Sequence, residues 1–290
     1  MAIKELFYDK RPQVLLDPRA SQRIDPRFKF TRNATATYVD RQGIIRTAQA
    51  NQPRFESSKL LIEPTATNAS PGVISGSYGV TGPDNANFNL TFNTTETLAP
   101  DGTNTALKVA ITADSNYLNT YVQSVDTNAL YSYTVGAVVT LSFYYKPGNS
   151  SNNQCFIDTF SRFPRPRNYI DVTTFIGPGG LRSYFVGNGW YRVWFTGTIV
   201  SSDFGFFRFA PGTGAAGSFG YFWGPQIEEN FNFPSSYIYT TTAAATRAPD
   251  LLSVEAPLPT SGSVYIDARA ITANENDTLL SLKNSSNDKI

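Results

Sequence analysis

The stretch Trp190–Ile199, WYRVWFTGTI, carries the clearest indication of the fold. Successive side chains of a β-strand point to opposite faces. The even-numbered residues from Trp190 to Thr196 therefore share one face, and the odd-numbered residues from Tyr191 to Gly197 share the other. The dipeptide Asn188-Gly189 directly before the stretch is typical of a tight turn. The stretch thus predicts a strand that starts immediately after a turn.

Similar strand-like runs recur across residues 69–248 with turn residues between them and no helical periodicity. In TLSFYYK, for example, Leu141, Phe143 and Tyr145 fall on one face. The other runs are NFNLTF, TALKVAIT, NNQCFIDTF, FGFFRFAP and SFGYFWGPQIE. Many short strands at this spacing predict an all-β sandwich or barrel.

Composition excludes several classes of function. The chain has 290 residues, 16% charged residues, a net charge of +1 and no histidine. A strong field that would attract nucleic acid is therefore missing, and so are Ser-His and Cys-His nucleophiles. The single cysteine, Cys155, cannot form an internal disulfide and is expected to be a buried thiol. The glycine-rich stretches GPGG and GTGAAG lack the context of a phosphate-binding loop and indicate turns.

Neither export nor membrane insertion is expected. The N-terminal residues MAIKELFYDKRPQ are charged and lack the apolar run of a secretion signal. No segment of the sequence is long and apolar enough to span a bilayer. We therefore expect a protein that is made in a cytoplasm and does not leave by the standard route.

The sequence divides into four parts. Residues 1–32, the arm, are rich in proline and predict an extended segment that lies on a partner surface, although a disordered tail is the alternative. Residues 33–68, the connector, predict a hairpin that turns at Gly43, a break at Pro53 and a further short strand in KLLIE. Residues 69–248 are the main body, and residues 249–290 read as a linker and the first strands of an incomplete β-domain. The apolar residues of the arm that are candidates for attachment are Leu6, Phe7, Val14, Leu15, Leu16 and Phe28.

The connector is too small to be stable alone. We expect it to pack on a neighbouring domain or on a neighbouring copy of itself. Within it and after the main body, Arg54 and Arg247 are expected to form buried bidentate pairs with an acid such as Glu63 or Asp250.

Two motifs carry a resemblance to a known class of proteins. The run FTRNATATYVDRQGIIRTAQANQPRFE, followed by KLLIEPTATN, resembles a connector module of tailed-phage virion proteins. The run FWGPQIEENFNFPSSYIYTTTAAATRAPD is similar to the closing segment of the jelly-roll modules that follow such connectors, except that Tyr239 stands where that pattern usually has proline. Between the two, LAPDGTNTALKV, LSFYYKPG and NGWYRVWFTG resemble the interior of carbohydrate-binding-module-like jelly rolls.

The resemblance implies a function without catalysis. It implies a virion structural protein, namely a tail fibre or a baseplate-attached adhesin that recognises host surface glycan. A capsid decoration or head-fibre protein is one alternative, and the non-catalytic part of a polysaccharide depolymerase is another. A homotrimer assembled in the host cytoplasm, with other virion proteins as partners, is expected on this basis.

Sugar contacts are expected where aromatic faces stand beside polar side chains. The proline-stiffened loop FSRFPRPRNYID supplies the first candidates, and DSNYLNTYVQ supplies a weaker pair. Contact with another protein, or a plain solvated loop, is the alternative for the first set. The candidates are Arg162, Phe163, Arg165, Arg167 and Tyr169 in the first loop and Tyr117 and Tyr121 in the second.

The tryptophans and the remaining carboxylates favour structural roles. Trp223 is expected in the core, while Trp190 and Trp194 should be buried or exposed together, with burial favoured. The adjacent residues Glu228 and Glu229 point to opposite faces, which excludes a glycosidase pair. No cofactor is expected, although the turn APDGTN with Asp101 could contribute to a structural calcium site.

Overall fold

The structure is a computed structural model of the chain. It describes residues 23–24, 26–56, 59–70, 78–81, 85–114, 121–124, 132–149, 153–161, 168–201, 205–212 and 215–254. Regular structure in these ranges consists of β-strands and two single 3-10 turns, Asn85–Asn87 and Pro178–Gly180, without any α-helix. The prediction of an all-β chain is therefore confirmed. The described part of the chain contains no helix that could cross a membrane.

The strands are numbered in chain order. They are β1 (Phe28–Thr31), β2 (Ala36–Val39), β3 (Ile45–Ala48), β4 (Arg54–Glu56), β5 (Lys59–Leu61), β6 (Ala66–Asn68), β7 (Tyr78–Thr81), β8 (Phe88–Thr91), β9 (Leu107–Ile111), β10 (Tyr121–Ser124), β11 (Val138–Pro147), β12 (Gln154–Ser161), β13 (Asn168–Asp171), β14 (Arg182–Gly187), β15 (Trp190–Thr198), β16 (Gly205–Pro211), β17 (Phe219–Glu229), β18 (Ala245–Arg247) and β19 (Leu251–Val254).

Two antiparallel sheets form a sandwich. The six-stranded sheet has the order β14-β15-β11-β17-β9-β8, and the five-stranded sheet has the order β13-β12-β16-β10-β7. The chain passes repeatedly from one sheet to the other, for instance from β10 to β11 and from β16 to β17, as in jelly-roll sandwiches. The opening stretch forms β15 in the six-stranded sheet, after the turn at Asn188-Gly189.

The first hydrophobic core lies between the two sheets. Phe143, Phe209 and Phe222 pack together there, with ring centroids 5.9, 5.8 and 4.3 Å apart. Val193 and Phe195 of the opening stretch belong to this core. Cys155 also lies in it, fully buried, and burial raises the pKa of its thiol well above the ordinary value. The expectation of a buried, unpaired cysteine is confirmed.

A second core lies on the outer face of the six-stranded sheet. Trp190, Tyr144 and Trp223 project from that face and pack against Ile45 of the connector and Tyr237. Tyr237 belongs to the closing segment, which we define as residues 231–250. The connector and the closing segment therefore cover this face together, and the connector packs on the sandwich of its own chain.

The predicted hairpin of the connector is confirmed. Strand β2 pairs with β3, and Gly43 in the turn between them has a φ of +75°. The turn approaches the sandwich very closely, because a Cβ added at Gly43 would lie 2.6 Å from the Cα of Gly187. Strands β4 and β5 form a second, shorter antiparallel pair. The absence of a side chain at Gly43 and at Gly187 allows the hairpin turn and the sandwich backbone to touch.

The chain enters and leaves the described body at the same place. Strand β1 pairs antiparallel with β19, and Phe28 lies opposite Val254. Strand β6 of the connector likewise pairs with β18 of the closing segment. Phe28 and Val254 thus lie at the same end of a two-stranded ribbon.

Candidate functional site

The sequence-predicted glycan contacts fall only partly within the described structure. Tyr169 lies on β13 and Tyr121 lies on β10, which are both in the five-stranded sheet. The other five candidates, Tyr117, Arg162, Phe163, Arg165 and Arg167, lie outside the described residues.

Strand register places the two tyrosine positions in one row. Tyr169 lies opposite Phe156, and Phe156 lies opposite Ala210. Because Val122 pairs with Phe209, the position of Tyr121 falls opposite Ala210. We call these four positions the contact row. Alternation puts this row on the face opposite to Phe209, but Phe156 and Ala210 are fully buried in the same core cluster as Phe209, and Tyr169 packs against that cluster.

A polar row runs beside the contact row on the same face. Asp158 lies opposite Arg208, and Arg208 lies opposite the position of Gln123. The Asp158 carboxylate and the Arg208 guanidinium form an ion pair of 3.6 Å. Both side chains of this ion pair are buried, so the pair stabilises the sheet and is not itself a ligand surface.

Exposure within these two rows is uneven. Phe156, Ala210, Asp158 and Arg208 are buried, whereas Tyr169 is half-buried. The rings of Tyr169 and Phe156 are 5.3 Å apart and tilted, so Phe156 supports the tyrosine from below. Burial also raises the pKa of the Tyr169 hydroxyl, which stays a neutral donor. Among the contact-row side chains whose exposure the structure describes, Tyr169 is therefore the one that a ligand can reach.

Five buried charged residues join the connector to the end of the closing segment. Arg54 pairs with Glu63 at 2.8 Å and with Asp250, and Arg247 lies 3.5 Å from Glu63. The predicted pairing with these acids is confirmed, but the predicted bidentate geometry is wrong. Arg54 divides its nitrogens between two carboxylates, and the side-chain nitrogens of Arg247 make no hydrogen bond. Arg32, which sequence reasoning missed, pairs with Asp250 at 2.9 Å. We call Arg32, Arg54, Glu63, Arg247 and Asp250 the ion cluster.

Hydrogen bonds complete much of the ion cluster. Arg32 donates to the carbonyl oxygens of Ala34, Gln49 and Gln52 at 2.8, 2.6 and 3.0 Å. Glu63 accepts from the backbone N–H and the hydroxyl of Ser236 at 2.7 and 2.6 Å. Burial acts to raise the pKa of the Glu63 carboxyl, but Arg247, Arg54 and the bonds from Ser236 hold it below the ordinary value. Glu63 is thus a charged structural residue.

The adjacent glutamates lie on opposite faces, as predicted. Glu228 is fully buried and accepts bonds from the backbone N–H and the hydroxyl of Ser235, at 3.0 and 2.5 Å. Glu229 is half-buried and accepts from the backbone N–H of Thr134 at 3.1 Å. Two carboxylates on opposite faces cannot attack one glycosidic bond from both sides.

A small cavity lies between the connector and the six-stranded sheet. Its volume is about 40 Å³, and its walls include Glu56, Tyr144, Tyr184, Arg192 and Phe233. One water molecule requires roughly 10–15 Å³ by this measure, so the cavity has room for a few waters and not for a sugar ring. Burial raises the pKa of Glu56 in this cavity. The cavity is therefore a polar gap in the connector interface.

The three tryptophans have different environments. Trp190 is 1% exposed and donates to the carbonyl of Leu98 at 3.0 Å, and Trp223 is 4% exposed and donates to the hydroxyl of Thr105 at 2.9 Å. The prediction that Trp223 is buried is confirmed. The prediction that Trp190 and Trp194 are buried together is wrong, because Trp194 is half-buried. The second core covers the β15 face at Trp190 and leaves Trp194 outside it.

In the candidate calcium turn, the Asp101 carboxylate already accepts hydrogen bonds from other residues of the chain. Asp101 accepts from the backbone N–H and the hydroxyl of Thr103 at 3.0 and 2.6 Å, and from the hydroxyl of Tyr239 at 3.2 Å. Within the described ranges, no group of three Asp, Glu, Cys or His residues is placed to hold a metal ion. Tyr239 also packs on Trp223, with ring centroids 6.0 Å apart, so it closes the second core at this end.

The attachment candidates lie mostly outside the described residues. Phe28 is half-buried in β1, and the other five candidates, Leu6, Phe7, Val14, Leu15 and Leu16, belong to the part of the arm that is not described.

Comparisons with known proteins give limited information. No protein-family model and no curated protein matches the chain. One similar solved structure is the CBM22-1 xylan-binding domain of Paenibacillus barcinonensis Xyn10C, at 9% identity and a TM-score of 0.34, covering 58% of this chain and 96% of that one. Another is the CBM22-1–GH10 part of Clostridium thermocellum xylanase Xyn10B in complex with xylohexaose, at 11% identity and a TM-score of 0.35, covering 61% of this chain and 30% of that one. No conclusion about ligand or activity follows from likenesses this distant.

Proposed function

We propose that this chain is a non-catalytic structural protein of a tailed-phage virion, a tail fibre or baseplate-attached adhesin, and that its sandwich contacts host surface glycan. The observation that carries the proposal is the ion cluster. It joins Arg32, at the entry of the chain, to Asp250, next to the exit, across 218 positions of sequence. The resemblance of the connector motif and of the closing-segment motif to virion proteins supports the assignment, and the ion cluster holds those two segments together.

The geometry of the ends supports an adhesive role. Since β1 and β19 run side by side, the segments that precede and follow the described body leave from one ribbon. A load applied through those segments acts first on this ribbon and on the ion cluster behind it. Removing one partner of a buried ion pair costs about 3–5 kcal/mol, because the other charge is left buried without compensation, so the cluster couples the entry of the chain to the closing segment. The faces of the sandwich that lie away from the ribbon are then free for contact.

The glycan face is proposed on the outer side of the five-stranded sheet, at its β13 edge. Tyr169 offers a partly accessible ring there, and the buried ion pair of Asp158 with Arg208, one row away, stabilises the sheet behind it. Aromatic stacking with a few polar contacts gives a weak site. A homotrimer would present three such sites and gain affinity through multivalency.

The remaining assignments belong to the same proposal. The arm, with Leu6, Phe7, Val14, Leu15, Leu16 and Phe28, would hold the chain to other virion proteins, and the location would be the virion. A capsid decoration or head fibre with the same modules is the second candidate. The non-catalytic part of a polysaccharide depolymerase is the third.

Particle labelling tests the virion assignment. An antibody raised against the chain should label purified phage particles in electron micrographs, at the tail or baseplate. Labelling over the capsid would select the decoration alternative. Particles that stay unlabelled, although the same antibody detects the chain in infected cells, would contradict a virion role.

Glycan binding tests the contact row. The full chain should bind a subset of bacterial surface polysaccharides on an array, and Tyr169→Ala should weaken that binding. Phe185→Ala is the matched control, because Phe185 is 54% exposed on β14, an edge strand of the other sheet. Equal binding by both variants would reject the contact row as the glycan face.

A further inference from the structure

Trp194 differs from the other two tryptophans in how its indole is used. Trp190 and Trp223 are buried, and their N–H groups donate within the protein. Trp194 is half-buried, and its N–H has no hydrogen-bond partner among the described residues. A half-exposed indole with a free donor is available to a ligand in a way that the other two are not.

Two further rings flank Trp194. Tyr184 and Phe233 lie 5.7 and 5.0 Å from it, centroid to centroid, and both are inclined by more than 60° to the indole plane. Tyr184 and Phe233 are nearly parallel to each other, at 8° and 6.2 Å. All three rings are half-buried on the outer face of the six-stranded sheet. They form an aromatic surface that lies outside the second core.

The aromatic surface is preorganised. Trp194 and Tyr184 stand on paired strands of regular sheet, and the Tyr184 hydroxyl is buried and hydrogen-bonded to Arg192. Phe233 belongs to the closing segment next to Ser235, whose carbonyl accepts from Arg192 at 2.6 Å. Rings that are already fixed lose little conformational freedom when a ligand binds.

A positive charge lies beside the aromatic surface. Arg182 is the cross-strand partner of Trp194 and is half-buried. One of its terminal nitrogens donates to the carbonyl of Leu181 at 2.9 Å, and within the described part of the chain it forms no ion pair. The rest of the guanidinium fork can therefore donate to a carboxylate.

We propose that Trp194, Tyr184, Phe233 and Arg182 form a second carbohydrate site, and that its ligand is a pyranose that carries a carboxylate, as in acidic polysaccharides. The apolar face of the sugar ring stacks on the indole, the indole N–H donates to a sugar oxygen, and Arg182 pairs with the carboxylate. The inference goes beyond the contact row, because this site lies on the opposite face of the sandwich. Two sites on opposite faces could engage two stretches of polymer, which raises the avidity of a weak binder.

The full chain is tested with two acidic probes, oligogalacturonate and hyaluronan oligosaccharides, and with neutral maltohexaose. The indole N–H region of a nitrogen-15 correlation spectrum should contain three signals, since the chain has three tryptophans. An acidic probe should shift the Trp194 signal and leave those of Trp190 and Trp223 in place. No shift of the Trp194 signal with either acidic probe at millimolar concentration would overturn the proposal.

Three variants separate this site from the contact row. Trp194→Ala should lower affinity for an acidic probe about tenfold or more, since truncating a central aromatic contact commonly costs this much. Arg182→Gln should remove the preference for acidic over neutral probes, and an unchanged preference would overturn the assigned ligand class. Tyr169→Ala should leave the Trp194 shift intact whether or not the contact row binds glycan, so the two proposals can fail separately. If Trp194→Ala lowers the stability of the chain, the presence or absence of a Trp194 shift in the unmodified chain decides whether the site exists.

Discussion

Arg54 and Asp250 form a buried ion pair although they are 196 positions apart in the sequence. Arg54 belongs to the connector, and Asp250 directly precedes β19. Arg32 shares the same carboxylate, so a single acidic side chain holds both the entry and the connector. The connector, which the sequence predicts to be too small to be stable alone, is thereby fixed to the rest of the described body.

Removing this carboxylate should destabilise the chain strongly. Asp250→Asn leaves the guanidinium groups of Arg32 and Arg54 buried without that partner, which should lower the free energy of unfolding by about 3–5 kcal/mol. Urea denaturation at neutral pH measures the change. Arg46→Gln is the control, because the pair of Arg46 with Asp40 is exposed and should contribute less than about 1 kcal/mol. Equal stabilities for the two variants would contradict the role of the ion cluster.

Acid should weaken the contribution of Glu63 in particular. Its folded-state pKa is held below the ordinary value of 4.5, so the stability that it contributes is fully present above the pKa of the unfolded chain. That contribution is lost as the pH falls through the folded pKa. Glu63→Gln should therefore be less stable than the unmodified chain at neutral pH.

The difference between these two proteins should shrink as the pH falls below the ordinary glutamate value. Comparing the two proteins cancels the groups that they share, including Glu228, whose pKa burial raises. Urea titrations at a series of pH values give the difference directly. A difference in the free energy of unfolding that does not change with pH would argue against a charged Glu63.

The contact between Gly43 and Gly187 should tolerate no side chain. A Cβ at Gly187 would lie 2.6 Å from the Cα of Gly43, so Gly187→Ala has to push the connector hairpin away from the sandwich. We expect a loss of more than about 1 kcal/mol, beyond the strain of the backbone conformation alone. Thermal unfolding measures it. Gly217→Ala is the matched control, since Gly217 has a φ of +80° and nothing within 4 Å of an added Cβ. A smaller loss at Gly187 than at Gly217 would show that the two backbones are not in contact.

Cys155 should report on the opening of the inner core. The thiol is fully buried, and burial raises its pKa, so both access and the thiolate fraction are low in the folded chain. A thiol reagent at neutral pH should react with it only slowly, and the rate should rise at the urea midpoint seen by tryptophan fluorescence. Fast labelling of the folded chain would place Cys155 at the surface.

Sequence reasoning reached the strands because alternation is a local property. WYRVWFTGTI predicted β15 together with the turn before it, and TATYVDRQGII predicted the connector hairpin. The alternation of side chains shows which residues share a face of a strand, but not which other segments cover that face. Trp190 and Trp194 share a face, yet segments distant in the sequence enclose the first and leave the second half-buried.

The candidate sites depended on register, which the sequence does not contain. Tyr121 and Tyr169 are 48 positions apart by their numbers, and only the pairing of β10, β16, β12 and β13 aligns their positions in one row. Arg32 was missed for a similar reason, because its partner Asp250 is brought next to it by the pairing of β1 with β19. Arg54 and Arg247 were predicted because both lie inside recognisable motifs that also contain acids.

The central claim is that the chain holds glycan without transforming it. The most direct measurement incubates the purified full chain with immobilised and with soluble host surface polysaccharide, and follows retention of the protein and the length distribution of the polymer. We expect saturable retention and an unchanged distribution of polymer lengths. Shortened polymer, or a chain that no host polysaccharide retains, would contradict the account.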